Sequence, residues 1–173
     1  MAHATREVRT MTRLDGSDIE HLRRAVALAR EARERGNAPF GAVLIDEEGG
    51  VLAEGRNTVR TEGDVTGHAE SNLVRSAHLP SSAKTLAAST LYASAEPCPM
   101  CSGAIFSAGV GRVVFGLGAG RIHEMFPPEE DNPVLRLSCR EVLATGTRQT
   151  EVVGPALEEE AERVFEGLYR SFT

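Results

Sequence analysis

A chain of 173 residues, 41% hydrophobic and 25% charged, has ordinary globular composition, and one domain of this length builds its core without help from disulfides or a structural metal. A net charge of −6 excludes a global basic field that would gather phosphate backbones, and no apolar run approaches the ~18 residues of a membrane span. Cys98, Cys101 and Cys139 are too few and too unevenly placed for a secreted disulfide framework, which points to metal or redox work in a reducing, cytoplasmic compartment.

Residues 1–173 read as one domain, with 1–16 as a flexible extension that mixes Arg6, Glu7, Arg9, Arg13 and Asp15 and has no signal-peptide core. Ser17-Asp18-Ile19-Glu20 reads as a capping box. Ile19, Leu22, Val26, Ala29 and Ala32 then recur at helical spacing up to Gly36. Phe40 to Asp46 and Val51 to Asn57 are strand-like runs joined by the turn-rich Glu47-Glu48-Gly49-Gly50, which suits an antiparallel hairpin. Thr58 to Gly67 is polar and irregular, and Thr66 is placed to cap a helix from about His68 to the stop at Pro80.

After a Ser/Ala-rich connector, Thr90 to Ala95 predicts a third strand. Pro97-Cys98-Pro99 opens a helix ending at Gly109, and Arg112 to Leu117 predicts a fourth strand. A right-handed crossover between these two strands makes them parallel. Gly118 to Pro133 reads as a long loop, a lid or specificity segment. Ser138 and Glu141 cap a short helix to about Thr145, Gln149 to Val153 forms a fifth strand, and Pro155 to Phe172 is an amphipathic helix. The implied architecture is α/β, three-layer α/β/α, with a central five-stranded mixed sheet whose first hairpin supplies the antiparallel part.

The chemistry lies at two helix starts. One opens His68-Ala69-Glu70; the other, beginning twenty-nine residues after His68, reads Pro97-Cys98-Pro99-Met100-Cys101. One imidazole and two thiolates make three zinc ligands and leave the fourth tetrahedral position for water, the arrangement of a catalytic zinc. Helix N-termini favour the thiolates. Zinc lowers the pKa of its bound water to about 7, so hydroxide is available for attack on a ring carbon bearing an amino group. Glu70 is then the proton carrier: it takes the water proton, protonates the ring nitrogen and serves the departing ammonia.

His-Ala-Glu followed by Pro-Cys-x-x-Cys is a known signature of zinc-dependent nucleobase deaminases. Across about Leu22 to Leu117 the sequence resembles the cytidine/deoxycytidylate deaminase superfamily, in the branch of guanine deaminases, yeast-type cytosine deaminases and tRNA adenosine deaminases. The resemblance implies a cytidine deaminase-like fold, a homodimer, and one zinc per subunit held by His68, Cys98 and Cys101. It also implies Glu70 as proton shuttle, Ala69 as a backbone donor to the base, and Asn57 reaching a polar group of the substrate. Phe40, in Pro39-Phe40-Gly41-Ala42-Val43, looks like the residue that packs on the base in guanine deaminases, which tilts the substrate toward a free base or nucleoside. The acidic Glu158-Glu159-Glu160, Glu162 and Glu166 point away from tRNA.

Guanine deaminases carry an acidic specificity residue soon after the fourth strand. Here the run is Gly118-Ala119-Gly120-Arg121-Ile122-His123-Glu124, so Glu124, with His123, is a substitute candidate, and Tyr169 and Phe172 are candidates for closing the site. Guanine, cytosine and triazine-like compounds therefore stand together as substrates, with a tRNA adenosine deaminase as the alternative. Two other readings attach to these residues. Taken alone, Cys-x-x-Cys after a strand suits a thioredoxin-like redox protein nearly as well, and His-Ala-Glu at its distance breaks the tie. A closed zinc completed by His78, His123 or Cys139 would make a binding module without catalysis. Cys139 itself reads most simply as a small buried hydrophobe.

Overall fold

The computed structural model describes residues 14–130 and 133–168. Helix α1 spans Gly16–Glu34 and is capped by Asp15, whose Oδ1 accepts from the amides of Ser17 at 2.8 Å and Asp18 at 2.9 Å. Asp18 reaches back to accept the Asp15 N–H at 3.1 Å, so the capping box is Asp15/Asp18, two residues upstream of the expected Ser17/Glu20 pair. The reason lies in Asp18: it is buried against Arg112 and Tyr92, a position it can hold only inside the first turn.

Strands β1 (Gly41–Ile45) and β2 (Val51–Arg56) form the antiparallel hairpin, with a register shift between Leu44 and Ile45. A short helix α2 (Val59–Glu62) precedes α3 (Ala69–His78) and α4 (Ala83–Ala88). Strand β3 (Thr90–Ala95), helix α5 (Pro99–Ala108) and strand β4 (Arg112–Leu117) follow the expected strand, helix, strand order. Then come α6 (Ala119–Met125), α7 (Cys139–Ala144), β5 (Glu151–Val153), α8 (Glu158–Glu162) and a single 3₁₀ turn at Arg163–Phe165. The sheet order is β2-β1-β3-β4-β5: β1 is antiparallel to both β2 and β3, and β3, β4 and β5 run parallel.

Strand alternation divides the core. Val43, Ile45, Tyr92 and Val114 face Leu22, Ala25 and Leu28 of α1 on one side of the sheet. Ala42, Leu44, Leu91, Ala93, Val113 and Phe115 face α3, α5 and α7 on the other, against Leu73, Val74, Ile105 and Leu143. Gly41 and Gly55 permit two close approaches. A Cβ at Gly41 would lie 2.4 Å from the Ala29 amide nitrogen, and one at Gly55 would lie 2.0 Å from the Ala69 carbonyl oxygen. The first seats α1 on β1; the second brings the start of α3 down onto β2.

Four segments depart from the sequence reading. Within the irregular 58–67 stretch, α2 forms because the buried Asn37 accepts from the amides of Arg60 and Thr61, both at 3.1 Å. The Ser/Ala connector contains α4, capped by Ser82 and anchored by the single buried Leu86. The supposed loop after β4 begins as helix α6, whose first amide, Ala119, is satisfied by Glu96 Oε2 at 3.0 Å and whose Ile122 and Met125 pack with Leu117 and Phe165. The long C-terminal helix is instead α8 and one 3₁₀ turn. Arg33 Nη1 donates to the Val164 carbonyl at 2.8 Å, occupying the acceptor a continuing helix needs, and Leu168 N–H bonds to Phe165 instead. Tyr169 and Phe172 lie outside the described residues.

Candidate functional site

His68 is the N-cap of α3 and Cys98 the N-cap of α5, and neither side chain makes a capping hydrogen bond. Thr66, expected to cap α3, is occupied with Asp64, to which its hydroxyl donates at 2.7 Å. Both functional side chains are therefore left to converge. His68 Nδ1 lies 3.6 Å from Cys98 Sγ and 3.6 Å from Cys101 Sγ, and the three ligand atoms all fall within 4.8 Å of one another. Tetrahedral zinc with bonds of about 2.3 Å to sulfur and about 2.05 Å to nitrogen places nitrogen and sulfur about 3.6 Å apart, so the donor set fits that ion in type and spacing. Among the described residues His78, His123 and Cys139 do not join the group; Cys139, the first residue of α7, is fully buried in the core.

The charges follow the geometry. Of the two thiols, Cys98 is held well below the ordinary range by the hydrogen bond from Cys101, with His68 adding to it against the effect of burial. The same bond to Cys98, together with burial, pushes Cys101 far upward, and its bond to Cys98 raises His68. Glu70, 7% exposed, has its carboxyl pushed up to about 7 by burial, where a carboxyl both gives and takes protons near neutrality.

Around this group the chain is tied down by side chains that the sequence reading missed. Asn72 Nδ2 donates to the Arg56 carbonyl at 2.9 Å, Thr58 Oγ1 at 3.0 Å and the Gly67 carbonyl at 3.2 Å, and Thr58 N–H also bonds Gly67 at 2.8 Å. Asn57 is thereby set beside the Gly67-His68 turn. It is buried, its N–H bonds the Phe40 carbonyl at 3.0 Å, and its Oδ1 accepts from Val59 N–H at 3.2 Å, which orients the carboxamide. Ala69 is fully buried at the first position of α3, where the helix makes no use of its N–H.

Phe40 packs edge-on to Phe165 at 5.5 Å, and Phe126 lies 5.9 Å from Phe165. On α6, His123 is half-buried, whereas Glu124 is exposed and paired with Arg121 at 2.9 Å. Glu96, Asn72 and Ser71, whose hydroxyl lies 3.5 Å from Cys101 Sγ, were the residues without a motif to mark them. The available signal for Asn72 and Ser71 was their helical spacing from His68.

A family model described as the cytidine and deoxycytidylate deaminase zinc-binding region matches residues 16–117. The chain belongs to that family. This deaminase is 38% identical over 150 residues to a probable cytosine deaminase of Schizosaccharomyces pombe, covering 87% of this chain and 91% of that one. It is 31% identical over 159 residues to a tRNA-specific adenosine deaminase of Bacillus subtilis, covering 88% and 89% of the two chains. The solved structure of a guanine deaminase from Bacillus subtilis superposes with a TM-score of 0.55 at 33% identity, over 76% of this chain and 91% of the other. The protein is thus a hydrolytic deaminase whose metal is zinc, which closes the thioredoxin-like reading of Cys98 and Cys101 and the reading as a binding module without catalysis. No helix among the described residues is long and apolar enough to cross a membrane.

Proposed function

We propose that this deaminase acts on a free nucleobase, nucleoside or related amino-azaheterocycle of the guanine, cytosine or triazine type, at the site formed by His68, Cys98, Cys101 and Glu70. The observation that carries the reading is the 3.6 Å spacing of His68 Nδ1 from both sulfurs, with the buried Glu70 two residues along the same helix start. His68, Cys98 and Cys101 would hold the zinc, which when bound supplies a Lewis acid that makes water nucleophilic near neutral pH.

The remaining chemistry belongs to side chains. Glu70 accepts a proton from the attacking water and passes it to the ring nitrogen beside the amino-bearing carbon. As the carbon–nitrogen bond breaks, it carries the second water proton to the leaving amine. The carbon gains a carbonyl oxygen and ammonia departs, so atoms and charge balance. Burial of Glu70 suits this traffic, since a carboxyl poised near neutrality serves as base and acid in turn. The Asn57 carboxamide, the Ala69 N–H and the Phe40 ring are assigned to recognising the base.

Charge favours a small ligand over RNA. Arg23 pairs with Glu160, Arg24 with Glu54, Arg56 with Glu31 and Arg121 with Glu162, so these arginines are already matched by carboxylates and do not form an open basic track. The likeness to the tRNA-specific enzyme over nearly the whole chain keeps tRNA as the second reading. The test is ammonia release by the zinc-loaded protein from guanine, cytosine, adenine, their nucleosides and small triazines, with a tRNA anticodon stem-loop alongside and Glu70→Ala as control. Fast turnover of one small compound is expected. Turnover of the stem-loop alone would replace the proposal with the second reading.

A further inference from the structure

We infer that Ser71 is a positioning residue for the metal centre, its hydroxyl donating to the sulfur of Cys101 and so holding and polarising that ligand. The inference rests on the reading of His68, Cys98 and Cys101 as the zinc ligands.

Ser71 follows the N-cap His68 by three residues, so the two side chains share one face of α3. Its Oγ lies 3.5 Å from Cys101 Sγ, within the range of an oxygen–sulfur hydrogen bond. The ordinary fate of a helical serine is a bond back to the carbonyl four residues earlier, and Ser76 on the same helix does this, donating to the Asn72 carbonyl at 2.9 Å. Ser71 does not. Its corresponding carbonyl, Gly67, is already taken by Thr58 N–H and by Asn72 Nδ2. The hydroxyl is thus turned toward α5 and the sulfur.

When Cys101 binds a metal as thiolate it has no hydrogen to give, so the direction is settled: Ser71 O–H donates and sulfur accepts. The bond stabilises negative charge on that sulfur, fixes its direction and moderates the charge it passes to the ion. Partners of this kind behind a metal ligand typically change affinity 10- to 100-fold when removed.

The experiment compares the full-length protein with Ser71→Ala, Ser71→Thr and Cys101→Ala. Zinc affinity is measured by competition with a chromophoric chelator, and the sulfur-to-metal charge-transfer band is recorded in cobalt-loaded protein. Ser71→Ala is expected to weaken zinc about tenfold and move the band to lower energy, because an unbonded thiolate gives up its electron more readily. Ser71→Thr, which keeps the oxygen on the same carbon, is expected to restore both. Cys101→Ala is expected to lose the metal outright. An unmoved band and zinc affinity within about twofold for Ser71→Ala, with the metal lost in Cys101→Ala, would overturn the role of Ser71 and leave the site intact. Ser71→Thr behaving like Ser71→Ala would assign the effect to packing and overturn it too. Full zinc affinity in Cys101→Ala would overturn the ligand set itself.

Discussion

Gly55→Ala tests whether the sheet positions the chemistry. A methyl group at this point of β2 would sit 2.0 Å from the Ala69 carbonyl oxygen and 2.8 Å from Leu73 Cβ, whereas side-chain carbons essentially never come nearer than 3.0 Å. The first turn of α3 must therefore retreat by about 1 Å, and that turn carries His68 on one side of Ala69 and Glu70 on the other. Overpacking of a buried contact costs about 1–3 kcal/mol, which in a chain of this size lowers Tm by about 3–9 °C. The functional cost should be of similar size in free energy yet far more visible, because a misplacement of about 1 Å in a catalytic group lowers rate about 100-fold. Thermal unfolding, zinc content and kcat/KM on the best substrate of the ammonia panel are measured on the same preparation. A folded Gly55→Ala variant with normal zinc and wild-type kcat/KM would show that α3 does not depend on β2 for its placement, and the argument from close approach would fail.

Glu70→Ala is expected to keep stoichiometric zinc and lose about 10²–10⁴ in turnover, the usual worth of a positioned proton carrier; loss of metal analysed by mass spectrometry would make Glu70 a ligand instead. Cys98→Ser is expected to lower zinc content, since a neutral hydroxyl poorly replaces a thiolate, and unchanged stoichiometry would point to other donors. Asp18→Asn should destabilise the fold by about 2–4 kcal/mol at neutral pH, between the values for exposed and buried pairs. Asp18 has a 6% exposed side chain and receives Arg112 at 2.6 Å and the Tyr92 hydroxyl at 2.8 Å. Burial works against its charge, but the bonds from Arg112, Asp15 and Tyr92 win and hold the carboxyl below its ordinary value. Its stabilisation is thus present above the unfolded carboxylate pKa of about 3.9 and lost as pH falls through the lower folded value. The gap between variant and wild type in urea titrations should close in acid; a gap that widened there would refute this.

The elements legible in the sequence were those whose residues state their own surroundings. Leu91, Tyr92 and Ala93 alternate between two covered faces, and β3 and β4 have the bounds the sequence predicts, with their parallel pairing. Gly109, in the left-handed conformation at φ 95°, ends α5 as expected, and Ser138 with Glu141 caps α7 as a reciprocal pair. The convergence of His68 with Cys98 and Cys101 was readable because both segments open helices, although α2 intervenes between β2 and the helix that His68 caps. The remainder was hidden because the partners lie far along the chain. Asn37 reaches Arg60 and Thr61, Arg33 reaches Val164, and Glu96 reaches Ala119; no local pattern announces bonds across such separations. Glycines 118 and 120 read as loop signals, yet α6 forms because a remote carboxylate and the aromatic cluster around Phe165 receive it. The C-terminal amphipathic pattern was real in its burial, with Ala161, Val164 and Phe165 inside, but tertiary bonds redirected its backbone.

The way Glu96 holds its neighbours sets what this enzyme can change. Standing directly before Pro97-Cys98, it accepts the Ala119 amide on one oxygen and the Cys139 amide on the other, each at 3.0 Å, so one carboxylate docks the starts of both α6 and α7. Both bonds go to main chain, while burial, with the same carboxylate adding to it, pushes the Cys139 thiol upward. Any residue except proline can present the N–H required at position 119, whereas Ile122 and Met125 of α6 and Cys139 and Leu143 of α7 are tied to the core by their side chains. One carboxylate thus couples the turn that carries Cys98 to the starts of two outer helices, so a shift at either helix start is felt directly beside the cysteine pair.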